Sequence, residues 1–263
     1  VTDRAETDID PRAVIDPGAQ FDEGVRIGPF AVIGGEVCIG KGTVVGPHAV
    51  IEGRTTIGSD NRIFQFASVG AMPQDLKYSG EASELVIGHR NRIREFVTLH
   101  PGTEGGGMVT RIGDDNLFMA YSHVAHDCTI GSSVIMANAA TLGGHVTLED
   151  GAIMGGLSGI HQFCKVGRQA FIAAGAIVVM DVTPFSTVQG DRARLAGLNL
   201  EGLKRSGVSP DAISGLKKAF RILFRSGLAL EEGVTRARAE AGKYTEVKYL
   251  LDFITSSGRG ITR

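Results

Sequence analysis

The stretch VIGGEVCIGKGTVVGPHAVIEGRTTIGSDNRI, residues 32–63, decides the fold. A large apolar residue returns every six positions: Ile33, Ile39, Val45, Ile51, Ile57 and Ile63. A period of six with one dominant apolar position is not helical. It fits a short strand whose anchor points inward, followed by a turn. Working backward, the same phase holds at Ile27, Phe21, Ile15 and Ile9. Forward it reaches Val69, and after a break it resumes at Ile87, Ile93 and Leu99. A second break shifts the phase by one, to Ile112, Phe118, Val124, Ile130, Met136, Leu142, Leu148, Met154, Ile160, Val166, Ile172 and Val178. Chance does not place 26 large apolar anchors in a row in a chain that is 43% hydrophobic.

Three hexads close one coil of 18 residues, and coils stack at the ~4.8 Å spacing of paired strands. The expected fold is therefore a parallel β-helix, a prism of three faces. Gly follows many anchors, as in Ile27-Gly28, Ile57-Gly58 and Ile130-Gly131. It is expected there to take tight or left-handed corner geometry. The absence of Trp and the 6% aromatic content suit a narrow interior filled by Val, Ile and Leu.

The two breaks read as protruding loops, residues 71–86 and 100–111, the second carrying Gly105-Gly106-Gly107. A strict solenoid does not require loops, so both are functional candidates. The repeat ends near Asp181–Pro184. Beyond it, Ser209-Pro210 reads as an N-cap followed by Pro at the first helical position. Ile213, Leu216, Phe220, Leu223 and Phe224 then follow at helical spacing up to Gly227, and Val247, Leu250, Leu251 and Ile254 mark another helix. The domains are residues 1–190, an all-β prism, and 191–263, a helical domain expected to cap the last coil. The first carries 13 Lys+Arg against 21 Asp+Glu, the second 14 against 8. Three cysteines without CxxC spacing read as reduced thiols of a cytoplasmic protein. The acidic stretch 1–10 is no signal peptide, and no apolar run reaches the ~20 residues that span a bilayer.

Four histidines lie close together: His123, His126, His145 and His161. Adding one coil to His126 gives Gly144, and a further coil gives Gln162, so these three form a column on one face. A solenoid histidine taken alone is more often a surface residue. Here a base, a Gly backbone and polar groups converge. Neutral His can take a hydroxyl proton near pH 7, and a fixed backbone N–H can stabilise an oxyanion. His126 is thus the expected general base and the Gly144 N–H the oxyanion donor. Asp127 can orient His126 only if the pair sits at a corner.

Several motifs recur in order along the chain. They are PQDLKY (73–78), RNRIRE (90–95), HVAHDCTIG (123–131), LGGHV (142–146), HQFC (161–164) and NLEGLKR (199–205). With the hexad repeat, they resemble the hexapeptide-repeat acyltransferases that act on UDP-N-acetylglucosamine at the opening of lipid A synthesis. The resemblance runs from about residue 9 to the C-terminus. It implies a left-handed β-helix and a homotrimer. It also implies transfer of a 3-hydroxyacyl group from acyl carrier protein to the glucosamine 3-hydroxyl. The phosphopantetheine thioester is then a co-substrate, with no cofactor, no metal, no nucleic acid and no stable membrane insertion. It makes Asp75, Lys77, His123, His145, His161 and Gln162 the lining of the sugar and acyl cleft. Asn199, Glu201 and Arg205 become contacts of the nucleotide end. Ala174 becomes the end of an acyl-chain ruler, with an expected preference for 12 to 14 carbons. One departure concerns the pyrophosphate grip: Ser206 follows Arg205 where the family often has a second basic residue, and Arg192 or Arg194 is an alternative source. The rival from another class is a metal hydratase like the γ-class carbonic anhydrases, with the four clustered histidines as ligands.

Overall fold

The computed structural model describes residues 6–263. Residues 1–5, which begin both the expected prism domain and the acidic stretch, lie outside them. The repeat folds as three parallel sheets that share their coils. The first face starts at Asp8–Ile9, the second at Val14–Ile15 and the third at Gln20–Phe21. Register follows the hexad arithmetic, with Ile27 opposite Val45 and Ile33 opposite Ile51. The anchors stack in one continuous interior from Ile27 to Val178.

The corners depart from the sequence expectation. The left-handed residue is three positions after the anchor, not one. Phe30, His48, Asp60, Phe66, Asp127, His145 and Phe163 all take φ between 58° and 66° there. The glycine directly after the anchor is needed for a different reason. A Cβ on Gly58 would lie 2.6 Å from the Gly88 carbonyl oxygen, and one on Gly113 2.7 Å from that of Gly131. Adjacent coils touch through these positions, and only Gly lets the backbones approach. The residue two positions after the anchor has its N–H outside the backbone ladder. Pro11, Pro17, Pro29 and Pro47 occupy that position without losing a bond.

The two breaks are insertions into coils. Ile63 pairs with Ile93, 30 residues on, and Ile93 with Phe118, 25 residues on. The first insertion adds two whole hexads and preserves the phase; the second adds seven residues and shifts it by one. Both loops are shorter than expected. Residues 84–86 belong to strand Glu84–Ile87 and residues 109–111 to Val109–Ile112. Glu84–Ile87 pairs over four residues with Arg54–Ile57 on one side and with Val109–Ile112 on the other, and Thr55, Leu85 and Thr110 turn inward as a second buried row. The hexad count follows only one inward residue per strand, so it hid this row.

After Val178 the chain forms a hairpin of Ser186–Gln189 and Arg194–Leu198, whose first strand adds to the first face on Phe171–Ile172. The expected junction at 190/191 falls in the turn of this hairpin. Four helices follow: α1 (Leu200–Arg205), α2 (Pro210–Arg225), α3 (Leu230–Ala241) and α4 (Thr245–Ser256). The Ser209 side chain accepts from Ala212 N, and Pro210 opens α2, as the sequence indicated. The helices share a second core around Leu216, Ala219, Leu223, Ala237, Val247, Leu250 and Leu251. Ala193 and Leu195 of the hairpin, rather than a helix, pack against the end of the prism core. Helix α4 ties down to the prism through Tyr249, whose hydroxyl donates to Glu149 at 2.7 Å and whose ring lies under Arg168. Burial, then the bond to Glu149, push that phenol up to about 12.

Candidate active site

His126 and Asp127 sit at the corner between the second and third faces, so adjacent residues can meet there. His126 Nδ1 donates to Asp127 Oδ2 at 2.7 Å, and the Asp127 side chain is fully buried. Asp127 takes φ +60°, a conformation Asp adopts at modest cost. The second loop holds its carboxylate. Thr103 N donates to Oδ1 at 2.9 Å and Thr103 Oγ1 to Oδ2 at 2.6 Å. Gly106 belongs to the same clamp, because a Cβ there would overlap the Asp127 carboxylate. With Nδ1 committed as donor, His126 Nε2 carries the free lone pair. Its nearest acidic neighbour is Asp75 Oδ2 of the first loop, at 4.0 Å.

Gly144 stacks one coil above His126. A Cβ there would lie 2.5 Å from His126 Cε1 and 2.6 Å from Nε2. The imidazole therefore rests on the glycine backbone. Gly144 N–H meets no acceptor among the described residues, while its carbonyl accepts from Phe163 N at 3.1 Å. A lone pair and an unpaired N–H thus face one space, a cavity of about 510 Å³ lined also by Gln74, His100, His123, Thr141 and Gln162.

Of the other histidines, His100 and His123 line this space, while His145 and His161 lie around it. His123 Nδ1 lies 2.6 Å from Thr98 Oγ1. Burial, aided by His100 and His126, pushes its imidazole down to about 4. It is therefore neutral at physiological pH. His145 stands edge-on to His126 at 5.1 Å between ring centroids and stacks on Phe163 at 4.3 Å. Burial also lowers its proton affinity, partly offset by Asp127. His161 and Gln162 lie one coil further on. Lys77 shares a turn with Asp75, whose Oδ1 accepts from Lys77 N at 3.0 Å.

His126, Asp127 and His145 also place their ligand atoms within 4.8 Å of one another, a spacing open to a cation. Both Asp127 oxygens are already engaged by Thr103 and His126, so a cation would have to displace those bonds. His123 and His161 are outside this cluster.

The remaining expected residues lie elsewhere. Asn199, Glu201 and Arg205 line a groove of about 830 Å³ with Ser132, Asp150, Arg168 and Gln169 at the corner between the third and first faces. Asn199 caps α1, accepting from Gly202 N, and its amide donates to Gln169 O at 2.9 Å. The Glu201 carboxyl is held below its usual range by its bond to Lys204. Arg192 and Arg194 line a different groove with Arg263, so on this chain they do not join Arg205. Ala174 is exposed at the corner between the first and second faces. Gln74, His100, Thr98 and Thr103 were not singled out from sequence. Thr98 and His100 pair across the second insertion, where stepping by 18 residues fails, and Gln74 and Thr103 lie in the inserted loops.

Fold and site together define a hexapeptide-repeat acyltransferase. The model for bacterial transferase hexapeptides matches residues 18–53 and 110–144, and that for the second domain of UDP-N-acetylglucosamine O-acyltransferase matches residues 181–262. A relative from Myxococcus xanthus, an acyl-[acyl-carrier-protein]–UDP-N-acetylglucosamine O-acyltransferase, is 56% identical over 97% of this chain and 99% of its own length. One of the same name from Herminiimonas arsenicoxydans is 52% identical over 95% and 97%. LpxA from Acinetobacter baumannii superposes with a TM-score of 0.94 at 42% identity, covering 97% of this chain and 99% of that one. The enzyme of Arabidopsis superposes at 0.84 with 36% identity, covering 97% and 100%. The chain belongs to the UDP-N-acetylglucosamine O-acyltransferase family. Its prism is a left-handed β-helix.

Proposed function

We propose that this chain transfers a 3-hydroxyacyl group from acyl carrier protein to the glucosamine 3-hydroxyl of UDP-N-acetylglucosamine, the first step of lipid A synthesis. The observation that carries the chemistry is His126 seated between the Asp127 carboxylate and the Gly144 backbone. His126 Nε2 takes the proton of the sugar hydroxyl as its oxygen attacks the thioester carbonyl. Charge builds on the carbonyl oxygen, where the Gly144 N–H is the donor. Collapse breaks the C–S bond, and the proton on Nε2 passes to the departing phosphopantetheine sulfur. Asp127 keeps the imidazole in the required tautomer and steadies the imidazolium. The sugar choice comes from the names of the relatives.

The reading assigns Asp75, Lys77, His123, His145, His161 and Gln162 to the sugar and acyl cleft, and Asn199, Glu201 and Arg205 to the nucleotide. On one chain these sets sit at two corners with the third face between them. The separation of the two sets on one chain supports a homotrimer in which a neighbouring subunit completes each cleft. The prism is the catalytic domain and residues 191–263 the nucleotide-binding one. Residues 6–263 include no helix long and apolar enough to cross a membrane. The reaction is placed in the cytoplasm and needs no bound cofactor.

The test is purified protein with UDP-N-acetylglucosamine and defined 3-hydroxyacyl carrier-protein thioesters, with the product followed by mass spectrometry. An acylated sugar nucleotide is expected. No transfer with any thioester, or full activity of a species that light scattering finds monomeric, would overturn the corresponding part.

A further inference from the structure

The last residues fold back onto the final coils. Ser257 Oγ donates to Asp181 Oδ2 at 2.7 Å, Asp181 N to Gly260 O at 3.0 Å and Thr262 N to Asp181 O at 2.7 Å. Asp181 is buried, so this staple is firm. It delivers Arg259 to the prism. Arg259 Nε donates to Val179 O at 3.0 Å, and Nη2 lies 3.0 Å from His161 Nδ1. The same Nδ1 lies 3.1 Å from the Gln162 carbonyl oxygen.

One ring nitrogen cannot satisfy both neighbours. The guanidinium only donates and the carbonyl only accepts. If Nδ1 bears the proton, it bonds to Gln162 O and turns N–H against N–H toward Arg259. If Nδ1 is bare, it accepts from Arg259 and gives up Gln162 O. A bond from an ionised donor is about twice as strong as a neutral one. The bond to Val179 O also holds the guanidinium in place. The second arrangement therefore wins.

We infer that Arg259 is a positioning residue: it fixes His161 as the Nε2–H tautomer, and that tautomer serves acyl transfer. Its consequence rests on the proposed reaction, but the tautomer itself does not. His161 then offers an Nε2–H donor next to Gln162, which lines the cavity that holds Gly144 and His126, leaving His126 Nε2 as the base. Donors suit the carbonyl and developing oxyanion of a thioester. Without Arg259, Nδ1 keeps the proton and donates it in a hydrogen bond to the Gln162 carbonyl, and Nε2 becomes an acceptor.

The experiment is long-range ¹H–¹⁵N correlation on full-length protein with labelled histidine, the His161 signal being assigned by its loss in His161→Gln. Wild type should give the Nε2–H pattern. Arg259→Met should switch it to Nδ1–H and lower kcat about 10-fold with little change in KM. Arg259→Lys, which still donates, should keep the tautomer and recover most of kcat. An unchanged tautomer in Arg259→Met overturns the inference. A switched tautomer with unchanged kcat overturns its catalytic part. A wild type inactive in acyl transfer counts against the proposed reaction, and the tautomer pattern still decides the role of Arg259.

Discussion

Thr103 holds Asp127 with both its backbone N–H, at 2.9 Å, and its hydroxyl, at 2.6 Å. The second loop thereby supports the His126–Asp127 pair through the carboxylate. Thr103→Val keeps the shape and removes the hydroxyl donor from a buried carboxylate. It should cost about 1.5–3 kcal/mol of stability in urea unfolding. Turnover should fall in parallel as the dyad loosens. A variant as stable and as active as wild type would show that the clamp is idle.

His126→Ala should lower turnover by about 100-fold or more with the fold intact, the scale of losing a general base. His48 is the matched control. It lies at another corner, stacked between Phe30 and Phe66 with centroids 5.1 and 5.3 Å away. His48→Ala should leave turnover almost unchanged. Comparable rates in the two variants would remove His126 from its role.

Gly144→Ala drives a methyl group into the imidazole, 2.5 Å from Cε1. The ring must move, and a displacement of about 1 Å can cost on the order of 100-fold in rate. Gly105→Ala meets nothing within 4 Å and should behave as wild type. The pair of initial rates, taken with circular dichroism to verify folding, checks the stacking.

His123 makes stability depend on pH in a defined direction. Its folded imidazole is pushed from 6.5 to about 4, so between these values the unfolded chain binds more protons. Stability contributed by neutral His123 is present above pH 6.5 and is lost as pH falls toward 4. The groups facing it are His100, His126 and Thr98. Urea midpoints at stepped pH should fall through that window, and less so in His123→Gln. Equal slopes in both proteins would assign the loss to other groups.

Ala174 tests the chain-length ruler. It is 48 residues from His126, eight hexads, or about 13 Å of axial climb at ~4.8 Å per coil. That span takes on the order of ten carbons of extended chain, given zigzag carbon–carbon bonds of ~1.5 Å. Wild type should prefer roughly 12 to 14 carbons, the length that the resemblance implies for Ala at this position. Ala174→Met should shift the optimum shorter, because the cleft end fills. A profile unchanged across the thioester series places the ruler elsewhere.

The sequence carries the prism because its signal is one residue repeated in register: Ile27, Val45 and Ile63 pair as counted. The column of His126, Gly144 and Gln162 came from the same count and survives because no insertion lies between them. His100 and Thr103 escaped it for the converse reason. Leu99 pairs with Val124, 25 residues on, and Thr103 reaches Asp127 from a loop no repeat describes. Helix α3 was invisible for another reason. Its buried residues are Gly233, Val234, Ala237 and Ala241, too small to raise a hydrophobic period. The left-handed position was misplaced because side chains as large as Phe30 and Phe66 occupy it, where glycine would have announced it.

The N–H that the ladder leaves over, two positions after each anchor, has different fates around the prism. Between the third and first faces, neighbours quench it: Ser59 N donates to His89 Nδ1, His89 N to Asp114 Oδ1, Asp114 N to Ser132 Oγ and Ser132 N to Asp150 Oδ1. Between the second and third, among the described residues, the N–H groups of His126, Gly144 and Gln162 find no such partner. One backbone thus yields an insulated edge and a live one. The donors that face the His126 corner are vacant valence that coiling leaves behind at every turn, spared here because His126 has only the glycine backbone of Gly144 above it and the side chain of Gln162 does not bend back to the Gly144 N–H.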